Sequence, residues 1–455
     1  MTVNRIIFFF TSVIISVIIG FETQLTFYEG ASVAMMFYTL LDFLDNLGKR
    51  IVVLDIAVIL ATFTWLVMPV IFYHNYTKAD TNARLFYKYM PVSSDDYFSF
   101  VLPGTLAMAI GMKLKLAQLQ IVTDSRAYHE KLKSYFKGKD KIGFILIGIS
   151  LASGILYYVL PGSLLRIVYL LEHLSYVGVF YIFFSDNKRK NMILLGVLTL
   201  TLINSISTAM FGELIYLLAL FYILIAVYLK QPSFIKKLSV CILGIFLIFL
   251  IQNVKSAYRA KAWTEGADAS YFGELIVKNI SDPSIMFEKN KLFFTAVRLN
   301  QGWLIGVTMD RVPRRFEFAH GETIWLSVAA AFIPRFIWQD KPEAGGKYNL
   351  KRFWGYNLVG YSMNIGSIGE AYANFDRTGA IIFMFFYGLA FNIMLTALLK
   401  WSERRPSIVC WIPVLFFYAV VVETDVLTTL SSLVTGLMFM FVFIWLFKKL
   451  AGIQL

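Results

Sequence analysis

Residues 332 to 342 read FIPRFIWQDKP, so Arg335 and Lys341 stand among Phe332, Phe336, Trp338 and two prolines in a chain otherwise suited to lipid. Proline fixes its own dihedral and lowers the entropy lost when neighbouring side chains are immobilised. The spacing therefore predicts a stiff, extended, cationic segment that is either a binding site or a membrane anchor. Further on, GSIGEAYANF places Glu370 three residues after Ser367. That spacing is a helix capping box, and a carboxylate partly desolvated where the chain re-enters a membrane is also suited to accept a proton. The two roles are compatible.

Other charged residues also fall in apolar surroundings. Arg298 lies in KLFFTAVRLNQGWLIGV, where Phe294, Val297, Trp303 and Val307 recur at near-helical spacing, as in an interfacial helix with a snorkelling arginine. Pro313 argues against a helix through Arg311, Arg314 and Arg315 and predicts a basic loop. Arg166, Glu213, Glu423 and Asp425 fall near one end of their apolar runs, with Glu172 and His173 deeper. Ionisable groups in spans face a cavity or one another, so a polar chamber is expected there. The Glu172–His173 pair reads equally as structural or catalytic.

The elements that must position these residues follow from composition. Of 455 residues, 58% are hydrophobic and 17% aromatic, and mean hydropathy is +0.66. These values exceed what a soluble domain carries. The expected fold is an all-α polytopic membrane protein with about 12 transmembrane helices and one large extracytoplasmic loop. The predicted spans are 5–21, 31–46, 51–73, 97–113, 142–161, 163–185, 191–208, 210–229, 238–252, 379–400, 407–423 and 429–447. The first lacks a convincing cleavage site and reads as a retained helix.

The net charge of +13 reflects topology before it reflects a nucleic-acid partner, and none is expected. Of the 42 Lys and Arg residues, 22 fall in segments on the side of the N-terminus and 3 in the short loops opposite. The positive-inside rule then places both termini in the cytoplasm. The chain divides into N-terminal membrane helices (1–252), an outer loop (253–378) with interfacial or re-entrant helices, and C-terminal membrane helices (379–455). The apolar segment 322–333 is too short to span. Cys241 and Cys410 fall in predicted helices, and with four scattered histidines they form neither a disulfide nor a metal cluster. No cofactor or metal is expected.

RLNQG at 298–302, HGETIW at 320–325, FIPRFIWQDKP and GSIGEAYANFDRTGAIIFMFFYG at 366–388 together resemble the O-antigen polymerase (Wzy-type) family. These enzymes polymerise oligosaccharide repeat units of bacterial surface polysaccharides. The specific match covers roughly residues 290–390. The resemblance implies an enzyme of the bacterial cytoplasmic (inner) membrane that joins undecaprenyl-diphosphate-linked oligosaccharides outside the cytoplasm, alongside a flippase and a chain-length regulator. It implies cations for the leaving diphosphate, for which Arg298, Arg335 and Lys341 are candidates, with Arg311, Arg314 and Arg315 as alternatives. Glu370 and His320 are the candidate bases, and Trp338, Tyr348, Trp354 and Tyr372 the candidate platforms for sugar rings. Arg166, Glu172 and Glu213 are candidate cavity charges. Some members carry an arginine followed by ten residues and a glycine, a spacing shared by Arg335 and Gly346.

Three alternatives compete with this reading. An O-antigen ligase-type transferase also pairs many helices with a large outer loop. A polyprenyl-phosphate sugar transferase would place an acidic motif in the first outer loop, where only Glu22 and Glu29 stand. A lipid-linked oligosaccharide flippase would show internal repeats and interrupted helices, and no repeat is visible.

Overall fold

The apolar runs fold as helices, and among the described residues there is no strand. The computed structural model describes residues 3–114, 125–156, 159, 165–228, 232–266, 268–335 and 337–451. Phe336 and the ends of the expected spans 142–161, 163–185 and 210–229 lie outside them. In chain order the helices used below are α1 (Val3–Thr23), α2 (Phe27–Asn46), α3 (Val53–Asn75), α4 (Ser94–Lys113), α5 (Ser125–Phe136) and α6 (Asp140–Leu156). Next come α7 (Leu165–Phe184), α8 (Lys190–Thr208), α9 (Gly212–Tyr228), α10 (Phe234–Thr264), α11 (Ala269–Ser281) and α12 (Lys289–Leu299). The last are α13 (Gly302–Arg311), α14 (Glu322–Phe332), α15 (Lys347–Trp354), α16 (Gly366–Arg404) and α17 (Val426–Ala451).

Among the described residues, seven helices are long and apolar enough to cross a bilayer: α1, α3, α7, α8, α10, α16 and α17. The expected span 407–423 is broken into a 3-10 turn (Pro406–Trp411) and two single-turn helices, Ile412–Leu415 and Phe417–Val420. Pro406 and Pro413 withhold backbone donors there, which is a local cause of the break.

Both boundaries of the expected loop fall inside continuous helices. Helix α10 does not stop at residue 252 but runs 31 residues to Thr264. At 1.5 Å per residue it is ~46 Å long, well beyond a hydrocarbon core of ~30 Å. Helix α16 starts at Gly366, not 379, with a kink at Asp376.

The centre of the bundle is α4 crossed by α16. A Cβ on Gly111 would sit 2.3 Å from the Phe385 carbonyl oxygen, and one on Gly388 would sit 2.3 Å from that of Met108. Glycine on both helices lets the two backbones touch, the usual way membrane helices gain close packing. At one end of this crossing Lys113 of α4 lies 2.8 Å from Asp42 of α2 and 3.0 Å from Asp55 of α3, while Arg5 of α1 also reaches Asp42. Arg5, Asp42, Asp55 and Lys113 of the first four helices thus satisfy one another, and Asp42 needs no further role.

The segment between α10 and α16 packs onto this bundle. Helix α13 lies against α3 and α16, and α14 lies along α17. Helix α14 has 11 residues, in keeping with an apolar segment too short to span.

Candidate functional site

The extension of α10 carries Lys255 and Arg259 one turn apart, on one face. Helix α12 faces it with Lys291, Phe294, Thr295 and Arg298. Between them lies a cavity of about 300 Å³, also lined by Gln252, Asn253 and Ser256. Among the described residues its four cations meet two carboxylates by direct ion pairing: Glu423, whose Oε2 lies 2.9 Å from the Arg298 guanidinium, and the exposed Glu288, 3.7 Å from Lys291 Nζ. Arg259 is held by its Nε donating to the Ala209 carbonyl (2.8 Å) and by the Trp263 ring. A concave site with an excess of fixed positive charge binds a polyanion, and guanidinium groups favour phosphate oxygens.

A second cluster is enclosed by helices. Glu370 is 0% exposed on α16. Thr323 of α14 donates its hydroxyl to Oε1 (2.9 Å), and the Val426 amide opening α17 donates to Oε2 (2.9 Å). Asn374 donates to Thr323 Oγ1 (2.7 Å) and accepts from the Gly321 amide (3.1 Å). Asn349 of α15 sets its amide against the same carboxylate. Asp425, 1% exposed, accepts from the Thr428 amide (2.8 Å) as the residue that caps α17. Residues 421–425, non-helical between the broken stretch and α17, therefore join the two clusters, with Glu423 on the cavity and Asp425 beside Glu370.

These positions revise several expectations. No side chain caps the start of α16, so Ser367 and Glu370 form no capping box; Glu370 reaches across to the start of another helix. Its enclosure also leaves no oxygen open to an incoming hydroxyl. FIPRFIWQDKP is not extended: the Ile337 and Trp338 amides both donate to the Pro334 carbonyl (3.1 Å), folding it into turns. Within it Arg335 is exposed and donates only weakly to the Gln339 carbonyl (3.4 Å), while Lys341 donates to the Ile333 carbonyl (3.0 Å). Partial burial, then the Arg335 charge, hold the Lys341 ammonium below its usual range.

Among the other candidates, Trp354 is buried with Nε1 donating to Thr308, and Tyr372 is buried with its hydroxyl donating to the Val312 carbonyl. Both belong to the core and offer no face to a sugar. Trp338 and Tyr348 are half-buried, and Tyr348 donates to Glu322 (3.0 Å). Helix α13 ends at Arg311, as Pro313 requires. Arg311 is spent on the Trp354 carbonyl and the Trp354 and Tyr356 rings, Arg314 pairs with Asp310 (2.8 Å), and Arg315 is exposed. His320 is exposed in the turn before α14.

The expected Glu172–His173 pair is replaced by another. His173 lies 3.2 Å from Glu213, to which Tyr176 also donates, whereas Glu172 is exposed. Arg166 donates to Ser432 (3.0 Å). Of the predicted diphosphate residues, only Arg298 lines the cationic cavity.

Residues 58–400 match a family described as a domain of unknown function (DUF8712). The chain belongs to that family. No curated protein and no solved structure matches it. The matched region takes in α4, α10, α12 and α16, hence the cationic cavity and Glu370, and stops before Glu423 and Asp425.

Sequence reasoning passed over Lys255, Arg259 and Lys291. A signal existed: Lys255, Arg259 and Trp263 recur every fourth residue, as one helical stripe. The fall in hydropathy after residue 252 hid the helix that carries them.

Proposed function

We propose that the chain is a membrane glycosyltransferase that joins undecaprenyl-diphosphate-linked oligosaccharide units into a surface polysaccharide at the outer face of the bacterial cytoplasmic membrane. The cationic cavity around Arg298 is the observation that carries this reading. It lies on the part of α10 that outruns a bilayer core, where a diphosphate headgroup can sit while its polyprenyl tail stays in lipid. In the transfer, the bond between the sugar's anomeric carbon and the diphosphate oxygen breaks. An acceptor hydroxyl forms the new glycosidic bond and gives up its proton. Lys255, Arg259 and Arg298 stabilise the negative charge that grows on the leaving diphosphate. His320, exposed before α14, is the candidate base. Arg335, Lys341, Trp338 and Tyr348 lie on the exposed segment between α14 and α16, where they can meet glycan.

Two variants test the cavity. Arg298→Ala should abolish polymer on a surface-glycan gel, leaving single repeat units, while the protein remains inserted. Glu423→Gln should keep polymer, because it removes the ion pair and leaves the guanidinium available. Normal polymer from Arg298→Ala would sink the assignment, and equal loss in both variants would reduce Arg298 to a structural partner of Glu423. Deleting the gene separates the rival classes. Units accumulating on the cytoplasmic side would mark a flippase, and full-length polymer stranded on its carrier would mark a ligase.

A further inference from the structure

Glu370 and Asp425 are 0% and 1% exposed, the amide of Val426, next in the chain after Asp425, donates to Glu370 Oε2 (2.9 Å), and among the described residues no Lys, Arg or His forms an ion pair with either. The elements packed around them present few ionisable groups. Helix α14 offers the Thr323 hydroxyl, and its own Glu322 turns away to Tyr348 and Arg352. Helix α15 offers the Asn349 amide, α16 offers the Tyr387 phenol, and α17 offers Thr428 and Thr429. A single buried carboxylate can stay ionised where donors such as these solvate it. Two adjacent ones cannot both stay charged.

The partners on Glu370 are donors: a hydroxyl, a backbone amide and a side-chain amide. Such a shell solvates a carboxyl and offers no lone pairs to a metal ion. One acceptor is nonetheless left over. Asn349 is 2% exposed and Oδ1 of the amide set against Glu370 has no hydrogen-bond partner. Rotating that amide by half a turn, which exchanges its oxygen and nitrogen, would let a carboxylic O–H at Glu370 donate to it.

We propose that Glu370 and Asp425 form a buried carboxylic acid–carboxylate pair that holds one proton at neutral pH and locks α14 and α15 onto α16 and α17. The lock is argued from residues other than those assigned to the reaction proposed above. Loss of the proton sets two negative charges against each other at the point where the four helices meet, and the α14–α15 segment separates from the bundle.

The test uses the full chain in lipid nanodiscs at neutral pH, with infrared spectroscopy reading the carboxylic-acid C=O stretch and hydrogen exchange reading residues 321–354. The wild type should show an acid band that is lost in Glu370→Gln. It should also be lost in Asp425→Asn, because a single remaining carboxyl among donors can ionise. After correction for the base-catalysed rise in intrinsic exchange, protection across 321–354 should fall as pH is raised in the wild type and stay constant in Glu370→Gln. Should one variant fail to insert, the other reads the same pair. An acid band surviving in either variant, or its absence from the wild type, would overturn the proposal. Protection that followed sodium concentration and not pH would replace the proton with a bound cation.

Discussion

At the scale of single residues, burial decides what each ionisable or aromatic group can do. Trp354 and Tyr372 had the right chemistry for a sugar platform, and only their enclosure assigns them to the core. Nothing local in the sequence separates a stacking aromatic from a packed one. Arg298 stood out as a basic residue inside an apolar helical pattern, but that pattern pointed to a snorkelling side chain and did not name Glu423 as its partner. Lys88 is a further case. Its Nζ lies 3.3 Å from the centroid of the Trp303 ring, and burial brings its ammonium down to about 8. An unfolded lysine titrates near ~10.4, so between these values the unfolded chain binds more protons than the native one. Native stability should therefore rise with pH across that window, and thermal melts in detergent should show the slope. Lys88→Met should flatten it; an unchanged slope would assign it to another group.

At the scale of elements, the sequence signals were strong where structure is local and weak where it is not. Hydropathy located the long helices, and Pro313 correctly ended α13. The S-x-x-E spacing at Ser367 failed because Glu370 bonds to an amide 56 residues away, which no local pattern encodes. The prolines around Arg335 failed for a related reason: fixing two φ angles is compatible with turns as well as with an extended chain. Gly346, read only as the end of an arginine–glycine spacing, has a local cause. It opens α15 with φ of 82°, and a Cβ there would meet the Met363 carbonyl oxygen at 2.0 Å. The α4–α16 crossing gives the element-scale prediction. Gly388→Ala pushes a methyl into the Met108 backbone and should lower stability by ~1–3 kcal/mol or more. The melting temperature in detergent measures this, with Gly196→Ala on α8, where a Cβ meets open space, as the matched control. Equal melting of the two variants would mean that the crossing is looser than described.

At the scale of the whole molecule, the all-helical, lipid-compatible character was legible from composition alone, and seven apolar helices bear it out. The orientation rests on the distribution of 42 basic residues, which is a kinetic signal of insertion and leaves no mark on packing. Substituted-cysteine labelling with an impermeant thiol reagent on whole cells reads it directly. Asp340→Cys should label from outside and Lys137→Cys only after the membrane is opened. Cys410 is fully buried and Cys241 partly so, which keeps the native background low. The reverse pattern would invert the topology and place the cationic cavity in the cytoplasm.

The five residues Val421 to Asp425 give this architecture a thermodynamic consequence. Glu423 and Asp425 are two positions apart on one short non-helical link, so a backbone shift that draws Glu423 away from Arg298 also displaces Asp425. Occupancy of the cavity and docking of the α14–α15 segment then share a coupling free energy. Linkage makes that coupling reciprocal: an anion that loosens the segment must bind more tightly when the segment is already loose.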